Sequence, residues 1–134
     1  MQAFLYFNLT APGNYRQPLL EEVKTALPHI AILDMDAQSG ELVQHYALQL
    51  LREAEQAVVC IKADESTADI AALMPLLEEL FLEKPERLVL LQGQQARLQR
   101  MFAARENIRH KLVSKEDVVQ EVQAFFRSSY KGDP

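Results

Sequence analysis

The stretch AFLYFNLTAPGNYRQPLLEEVKTAL, residues 3–27, decides the fold. Its first seven residues are almost all apolar, which is typical of a strand that is buried on both faces. After a turn-forming segment, Pro18 opens a helical pattern, and a proline in the first turn of a helix costs no hydrogen bond. The apolar residues of this pattern share one helix face: Leu19, Leu20, Val23 and Leu27. A strand followed by an amphipathic helix is the repeating unit of α/β proteins.

The alternation of strand and helix continues along the whole chain. Four further runs have the composition of strands: residues 29–35, 57–63, 87–93 and 108–113. Helical patterns lie between and after these runs, so we expect a five-stranded parallel sheet with helices on both faces, a three-layer α/β/α sandwich. The last strand carries Arg109, His110 and Lys111, which marks it as an edge. This pattern resembles the flavodoxin-like class, with strand order 2-1-3-4-5.

Length and composition predict one small cytoplasmic domain. The 134 residues suffice for one domain without disulfides or metal, over residues 1–128, with a flexible tail over 129–134. The net charge of −5 argues against general binding of nucleic acid or anionic membranes. Cys60 is the only cysteine, which excludes an intramolecular disulfide. No apolar run reaches the length of a signal peptide or a membrane span.

Three helices carry specific expectations. In the second, residues 41–56, the apolar stripe is centred on Leu42, Tyr46, Leu50 and Ala54 and widened by Val43, Ala47 and Leu51. In the third, residues 66–83, Pro75 removes an intrahelical hydrogen bond, so we expect a kink or a second helix that begins near it. The last helix, residues 115–128, should have Ser114 as its N-cap.

Candidate ligand-binding residues lie where the strands end, because open parallel sheets bind ligands beyond the carboxyl ends of their strands. From a wider list of polar residues at these ends, which includes Asn8, Lys62 and Gln92, the candidates are Thr10, Gly13, Asn14, Arg16, Asp36, Asp64 and Gly93. The first loop stands out, since a hydroxyl, a Gly-Asn pair and an arginine precede a helix N-terminus that attracts anions. The simpler interpretation is a type II turn with Pro12 and Gly13 at its centre.

Two families with this topology offer analogies for the strand ends. The segment TAPGNY, residues 10–15, resembles the phosphate loop of flavodoxins, a resemblance that implies a bound phosphate; we expect no flavin or other cofactor. Receiver domains phosphorylate an aspartate after strand 3, where Asp64 stands, and Lys111 matches their lysine by position. Their acidic pair at the end of strand 1 is replaced by Asn8 and Leu9, so magnesium would lack its ligands.

A third analogy concerns the helix after strand 3. The segment PLLEELF, residues 75–81, and the first strand FLYFNL are similar to nucleoside deoxyribosyltransferases and TIR domains. That resemblance implies processing of an N-glycosidic bond by Glu78 or Glu79. No glycine precedes the glutamate as in the transferase motif, and adjacent glutamates on a helix commonly form a solvated face.

Charge is segregated along the second half of the chain. Residues 65–86 contain six acids and one base, whereas residues 94–115 contain six bases and one acid. We define the basic surface as Arg97, Arg100, Arg109 and Lys111, and expect it to bind an acidic protein partner or a second copy in a homodimer. A solvated face and pairing with the acids of the preceding helix are the alternatives.

We recognise no complete set of catalytic residues in the sequence. The three histidines, His29, His45 and His110, are scattered, and Cys60 lies in the middle of an apolar strand. We therefore expect a non-catalytic α/β module that acts through protein contacts or self-association, with no metal and no cofactor. The alternative is a nucleotide- or nucleoside-binding domain, or one that processes an N-glycosidic bond.

Overall fold

The computed structural model describes residues 1–10, 18–36, 40–65, 70, 73–82, 84 and 86–131. Of these, Pro18 and residues 128–131 are described by their backbone only. Five strands form one sheet: β1 (Gln2–Asn8), β2 (Ala31–Asp36), β3 (Gln56–Lys62), β4 (Arg87–Gln92) and β5 (His110–Val113). The α-helices are α1 (Pro18–Ala26), α2 (Glu41–Glu53), α3 (Met74–Leu80), α4 (Ala96–Ala103) and α5 (Val118–Lys131).

The sheet is fully parallel, with strand order β2-β1-β3-β4-β5. This confirms the predicted flavodoxin-like fold, and β5 is an edge strand as its charges indicated. Strands β1, β3 and β4 are buried on both faces because helices cover them from two sides. The order reverses direction between β1 and β3, so this pair forms the topological switch point of the sheet.

Each face of the sheet packs against its own set of helices. On one face, α2, α3 and α4 contribute residues such as Leu51, Leu77 and Phe102 to a core with the odd-numbered residues of β1 and β3. On the other face, α1 and α5 contribute residues such as Val23 and Phe126 to a second core. None of the helices in the described part of the chain has the length and apolarity needed to cross a membrane.

The buried stripe of α2 differs from the predicted one. Ala47 and Leu51 are buried at the centre of the helix face that contacts the sheet. Leu42 is 80% exposed and Tyr46 is 59% exposed, so the predicted centre of the stripe was wrong by part of a turn. The seven apolar residues of the predicted stripe span half of the helix circumference, and the period alone does not say which of them face the sheet.

The N-termini of α3 and α5 can be compared with the positions predicted from Pro75 and Ser114. Helix α3 begins at Met74, which places Pro75 within its first turn, so the prediction of a helix that begins near this proline is confirmed. The first part of the predicted helix lies largely outside the described residues. A 3₁₀ turn (Lys115–Asp117) leads into α5, and Ser114 precedes it without capping a backbone N–H; its hydroxyl donates to Asp117.

Candidate functional site

The carboxyl edge of the sheet brings four polar side chains into one row. Asp36 of β2 is in register with Asn8 of β1, Asn8 with Lys62 of β3, and Lys62 with Gln92 of β4. Because register partners in a parallel sheet point to the same face, all four project towards the α1 and α5 layer. Adjacent members are separated by one strand spacing, about 4.8 Å. The row crosses the switch point between β1 and β3.

Asn8 is held by Thr10, two residues further along the chain. The Oδ1 atom of Asn8 accepts hydrogen bonds from the backbone N–H of Thr10, at 3.0 Å, and from its hydroxyl. The hydroxyl of Thr10, a predicted ligand residue, therefore donates its hydrogen bond within the protein. Since only the oxygen of the amide accepts hydrogen bonds, these contacts also fix which way the Asn8 amide points.

Lys62 and Gln92 continue the row. Gln92 is buried, and its Oε1 atom accepts a weak hydrogen bond from the thiol of Cys60 at 3.8 Å. Lys62 is half-buried, and within the described residues its ammonium group has no carboxylate partner. A half-buried cation without a counter-ion is the most unusual feature of this edge, because buried charges are normally paired.

The β2 end of the row is acidic. Asp34 and Asp36 are both exposed on the edge strand. Partial burial, and secondly the charge of Asp36, raise the pKa of Asp34 above its ordinary value. Neighbouring Tyr6 is buried in the second core, and the pKa of its hydroxyl is raised mainly by that burial. The edge thus runs from acidic at β2 to a cation and amide donors at β3 and β4.

Gly93 follows the row and has a structural role. Its φ of +93° lies in the left-handed region, and a Cβ atom there would lie 2.1 Å from the carbonyl oxygen of Ala63. The N–H of Ala63 donates to the carbonyl of Gln92 at 3.0 Å, so the chains leaving β3 and β4 stay close at this point. The geometry demands glycine for backbone packing, and no ligand is needed to explain this residue.

The structure brings together only part of the predicted ligand set. Thr10, Asp36, Asp64 and Gly93 all lie at the carboxyl edge, whereas Gly13, Asn14 and Arg16 fall outside the described residues. Asn8, Lys62 and Gln92 were on the wider list of strand-end residues but not among the predicted ligand residues. A signal for them existed, because each is the polar last residue of a strand that is otherwise largely apolar.

Glu79 lies at the opposite edge of the sheet. This residue of α3 is buried and forms ion pairs with Arg87, the first residue of β4, and with Arg52 of α2, both at 2.9 Å. Burial acts to raise its pKa, but hydrogen bonds from Arg52 and Arg87 and their charges outweigh it and lower the pKa. Glu78, next to it, is exposed. The two residues of the predicted glycosidic site therefore have different environments.

The basic surface consists of two parts on either side of β5. Arg97 and Arg100 are exposed on α4, on one side of the sheet. Lys111 forms an ion pair with Glu121 of α5, and the guanidinium of Arg109 lies 5.7 Å from the ring of Phe125, both on the other side. The free edge of β5 runs between the two parts.

The predicted pairing between the acids of α3 and the bases of α4 is absent from the described residues. Glu79 is paired with Arg52 and Arg87 instead. Among the residues the structure describes, neither Arg97 nor Arg100 forms an ion pair. Leu112 of β5, 53% exposed, adds an apolar side chain to the same edge.

The remaining metal-ligating and nucleophilic side chains in the described part of the chain form no further candidate site. It contains no group of three histidine, cysteine, aspartate or glutamate side chains that could hold a metal ion. His29 is hydrogen-bonded to Gln2, and the ring of His110 lies 5.8 Å from that of Phe102. Burial raises the pKa of the Cys60 thiol to about 12, with a smaller opposing effect from Lys62.

Comparison of the chain with protein-family models, with curated proteins and with solved structures finds no match. Function must therefore be inferred from the residues themselves.

Proposed function

We propose that this chain is a cytoplasmic, non-catalytic α/β module that binds an acidic protein partner or a second copy of itself through the basic surface. The proposal rests on the exposure and the unneutralised charges of Arg97 and Arg100. Both are exposed on α4, and in the described structure no carboxylate neutralises either of them. Arginine is enriched in protein interfaces because its planar guanidinium binds carboxylates in a fixed geometry.

The neighbouring edge of the sheet supports this proposal. Leu112 is exposed on β5, between the arginines of α4 and the charged residues that face α5. An apolar residue with a polar rim is the usual anatomy of a protein interface. Lys111 and Arg109 protect the same edge against non-specific strand pairing, so the surface favours a partner whose charge is complementary.

Charge reversal on α4 tests the proposal. The Arg97→Glu/Arg100→Glu variant is compared with wild type by light scattering over a range of concentrations and by fluorescence anisotropy with a labelled oligoglutamate peptide. Wild type should show either a concentration-dependent mass or salt-sensitive peptide binding, and the variant should lose it. The matched control is Lys24→Glu/Arg127→Glu, which reverses two exposed charges on α1 and α5. A monomeric wild type that does not bind the peptide contradicts the proposal, as does equal loss in the control.

A second candidate function is binding of a nucleotide or nucleoside at the carboxyl edge. It is favoured by the row of Asp36, Asn8, Lys62 and Gln92 at the switch point, where ligands of open α/β sheets bind. Glu78 and Glu79, the residues proposed for glycosidic-bond chemistry, lie in α3 near the opposite edge of the sheet, so they do not contribute to this ligand site. Thermal shift with nucleotides, nucleosides, NAD and flavins tests this candidate: a ligand present at 100 times its Kd stabilises by about 2.7 kcal/mol.

A further inference from the structure

Three side chains at the switch point offer hydrogen-bond donors that the described residues leave unused. They are the amide nitrogens of Asn8 and Gln92 and the ammonium group of Lys62, on three adjacent strands. Asn8 and Gln92 are each more than nine-tenths buried. In the described region, neither amide nitrogen nor the ammonium group has a hydrogen-bond acceptor.

The orientation of the Asn8 amide follows from its contacts. The backbone N–H of Thr10 can only donate, so the atom of Asn8 that it contacts at 3.0 Å must be the oxygen. The NH₂ group then points away from Thr10. The Oε1 atom of Gln92 faces the Cys60 thiol at 3.8 Å, and its NH₂ group has no hydrogen-bond acceptor among the described residues. Both amides therefore keep their donors free for another molecule.

These donors are accessible. No fully buried side-chain nitrogen or oxygen in the described part of the chain lacks a hydrogen-bond partner, so the amide nitrogens of Asn8 and Gln92 reach the surface. Lys62 lies between them in the register and is half-buried. The three groups form a small, partly desolvated concentration of donors with one positive charge, a setting in which hydrogen bonds to an anion are strengthened.

We infer that Asn8, Lys62 and Gln92 bind the phosphate group of a small molecule at the switch point between β1 and β3. Phosphate presents several oxygens in different directions, which suits donors from three strands better than the two coplanar oxygens of a carboxylate do. This inference rests on the second candidate function and specifies the chemistry of its ligand.

The test uses inorganic phosphate as the probe. It is titrated into the ¹⁵N-labelled protein at constant ionic strength, and the side-chain NH₂ signals of Asn8 and Gln92 are followed by NMR. Both signals should shift and saturate together. Lys62→Met should weaken binding by roughly tenfold or more, because a charge-assisted contact is lost. Lys24→Met, which removes an exposed lysine from α1, should leave binding unchanged.

A second variant separates the ligand role from a structural one. Gln92→Glu keeps the size of the side chain but replaces its donor by a carboxylate that faces Lys62. Phosphate binding should be lost while the protein stays folded, with a melting temperature no lower than that of wild type. Shifts that do not saturate, binding that survives Lys62→Met, or equal losses in Lys62→Met and Lys24→Met would overturn the inference.

The arginines of the basic surface are a competing site for phosphate. The same titration of Arg97→Glu/Arg100→Glu resolves this, because the carboxyl-edge signals should still shift in that variant. Loss of those shifts contradicts the inference and leaves the proposed protein contact untouched. Conversely, failure of the oligoglutamate and light-scattering experiments removes the protein contact without affecting the phosphate site.

Discussion

Glu79 and Arg87 form an ion pair in the interior of the protein. Nη2 of Arg87 lies 2.9 Å from Oε2 of Glu79, and both side chains are more than nine-tenths buried. The guanidinium also donates to the carbonyl oxygens of Glu79, at 2.9 Å, and Leu51, at 3.3 Å. One arginine thereby connects the start of β4 to α3 and to the end of α2.

Removing one partner of this pair should destabilise the protein strongly. Glu79→Ala leaves the guanidinium of Arg87 buried without its counter-ion, and we expect a loss of about 3 kcal/mol in the free energy of unfolding. Glu78→Ala, on the exposed side of the same helix, should change it by less than about 0.5 kcal/mol. Urea denaturation of both variants measures the difference. Similar small effects in the two variants would show that the pair contributes nothing specific.

The same pair predicts a pH dependence of stability. The pKa of Glu79 is lower in the folded protein than its ordinary value of 4.5, because the hydrogen bonds and charges of Arg52 and Arg87 outweigh burial. Between these two pKa values the unfolded chain binds the proton and the folded one does not, so stability falls as the pH falls.

Wild type and Glu79→Gln should therefore differ most in their free energy of unfolding near neutral pH. The difference should shrink below pH 4.5, the ordinary pKa, and the measurement is urea denaturation at a series of pH values. A difference that stays constant down to strongly acidic pH would assign the stabilisation to packing and not to the carboxylate.

Gly93 should be intolerant of any side chain. A Cβ atom at this position would meet the carbonyl oxygen of Ala63 at 2.1 Å, and its φ of +93° is itself costly for other residues. We expect Gly93→Ala to lower the free energy of unfolding by at least about 2 kcal/mol. Gly40→Ala is the control, since nothing lies within 4 Å of its added Cβ, and its effect should stay below about 1 kcal/mol. Equal effects would mean that the backbone at Gly93 relaxes freely.

Much of the fold could be predicted because the strand runs are unambiguous. Residues 57–63 and 87–93 are too short and too continuously apolar for helices of this amphipathic chain, and the intervening helical patterns require parallel strands. The sheet order was expected from the resemblance to the flavodoxin-like class, and the structure confirms it. The orientation of α2 could not be predicted, since the predicted apolar stripe reaches from Leu42 to Leu51 on opposite sides of the helix, and only tertiary packing shows which side faces the sheet.

The sequence predicted where the site lies in the fold, but not which residues share one face there. The carboxyl edge follows from topology, and Asp36 and Thr10 were located there. Which strand-end residues share a face depends on register, and register depends on pairing between segments far apart in the chain. The ion partners of Glu79 could not be predicted for the same reason, because Arg52 and Arg87 lie on other elements.

The corrected orientation of α2 can be checked by truncating one leucine on each face. Leu51 is buried, so Leu51→Ala should cost about 3 kcal/mol through lost burial and the cavity left behind. Leu42 is 80% exposed, and Leu42→Ala should change stability by less than about 0.5 kcal/mol. Urea denaturation distinguishes the two, and the reverse order of effects would restore the stripe expected from sequence.

Cys60 should react with thiol reagents only after the protein unfolds. The side chain is fully buried in β3, and burial raises its pKa to about 12, so neither access nor the reactive thiolate is available in the folded state at pH 8. Labelling with a chromogenic disulfide should be slow in buffer and should accelerate in urea in parallel with the unfolded fraction. A Cys60→Ser/Gln120→Cys variant, which moves the thiol to an exposed position on α5, should react at once under both conditions. Rapid labelling of wild-type Cys60 in buffer would contradict the packing of β3 between its two helix layers.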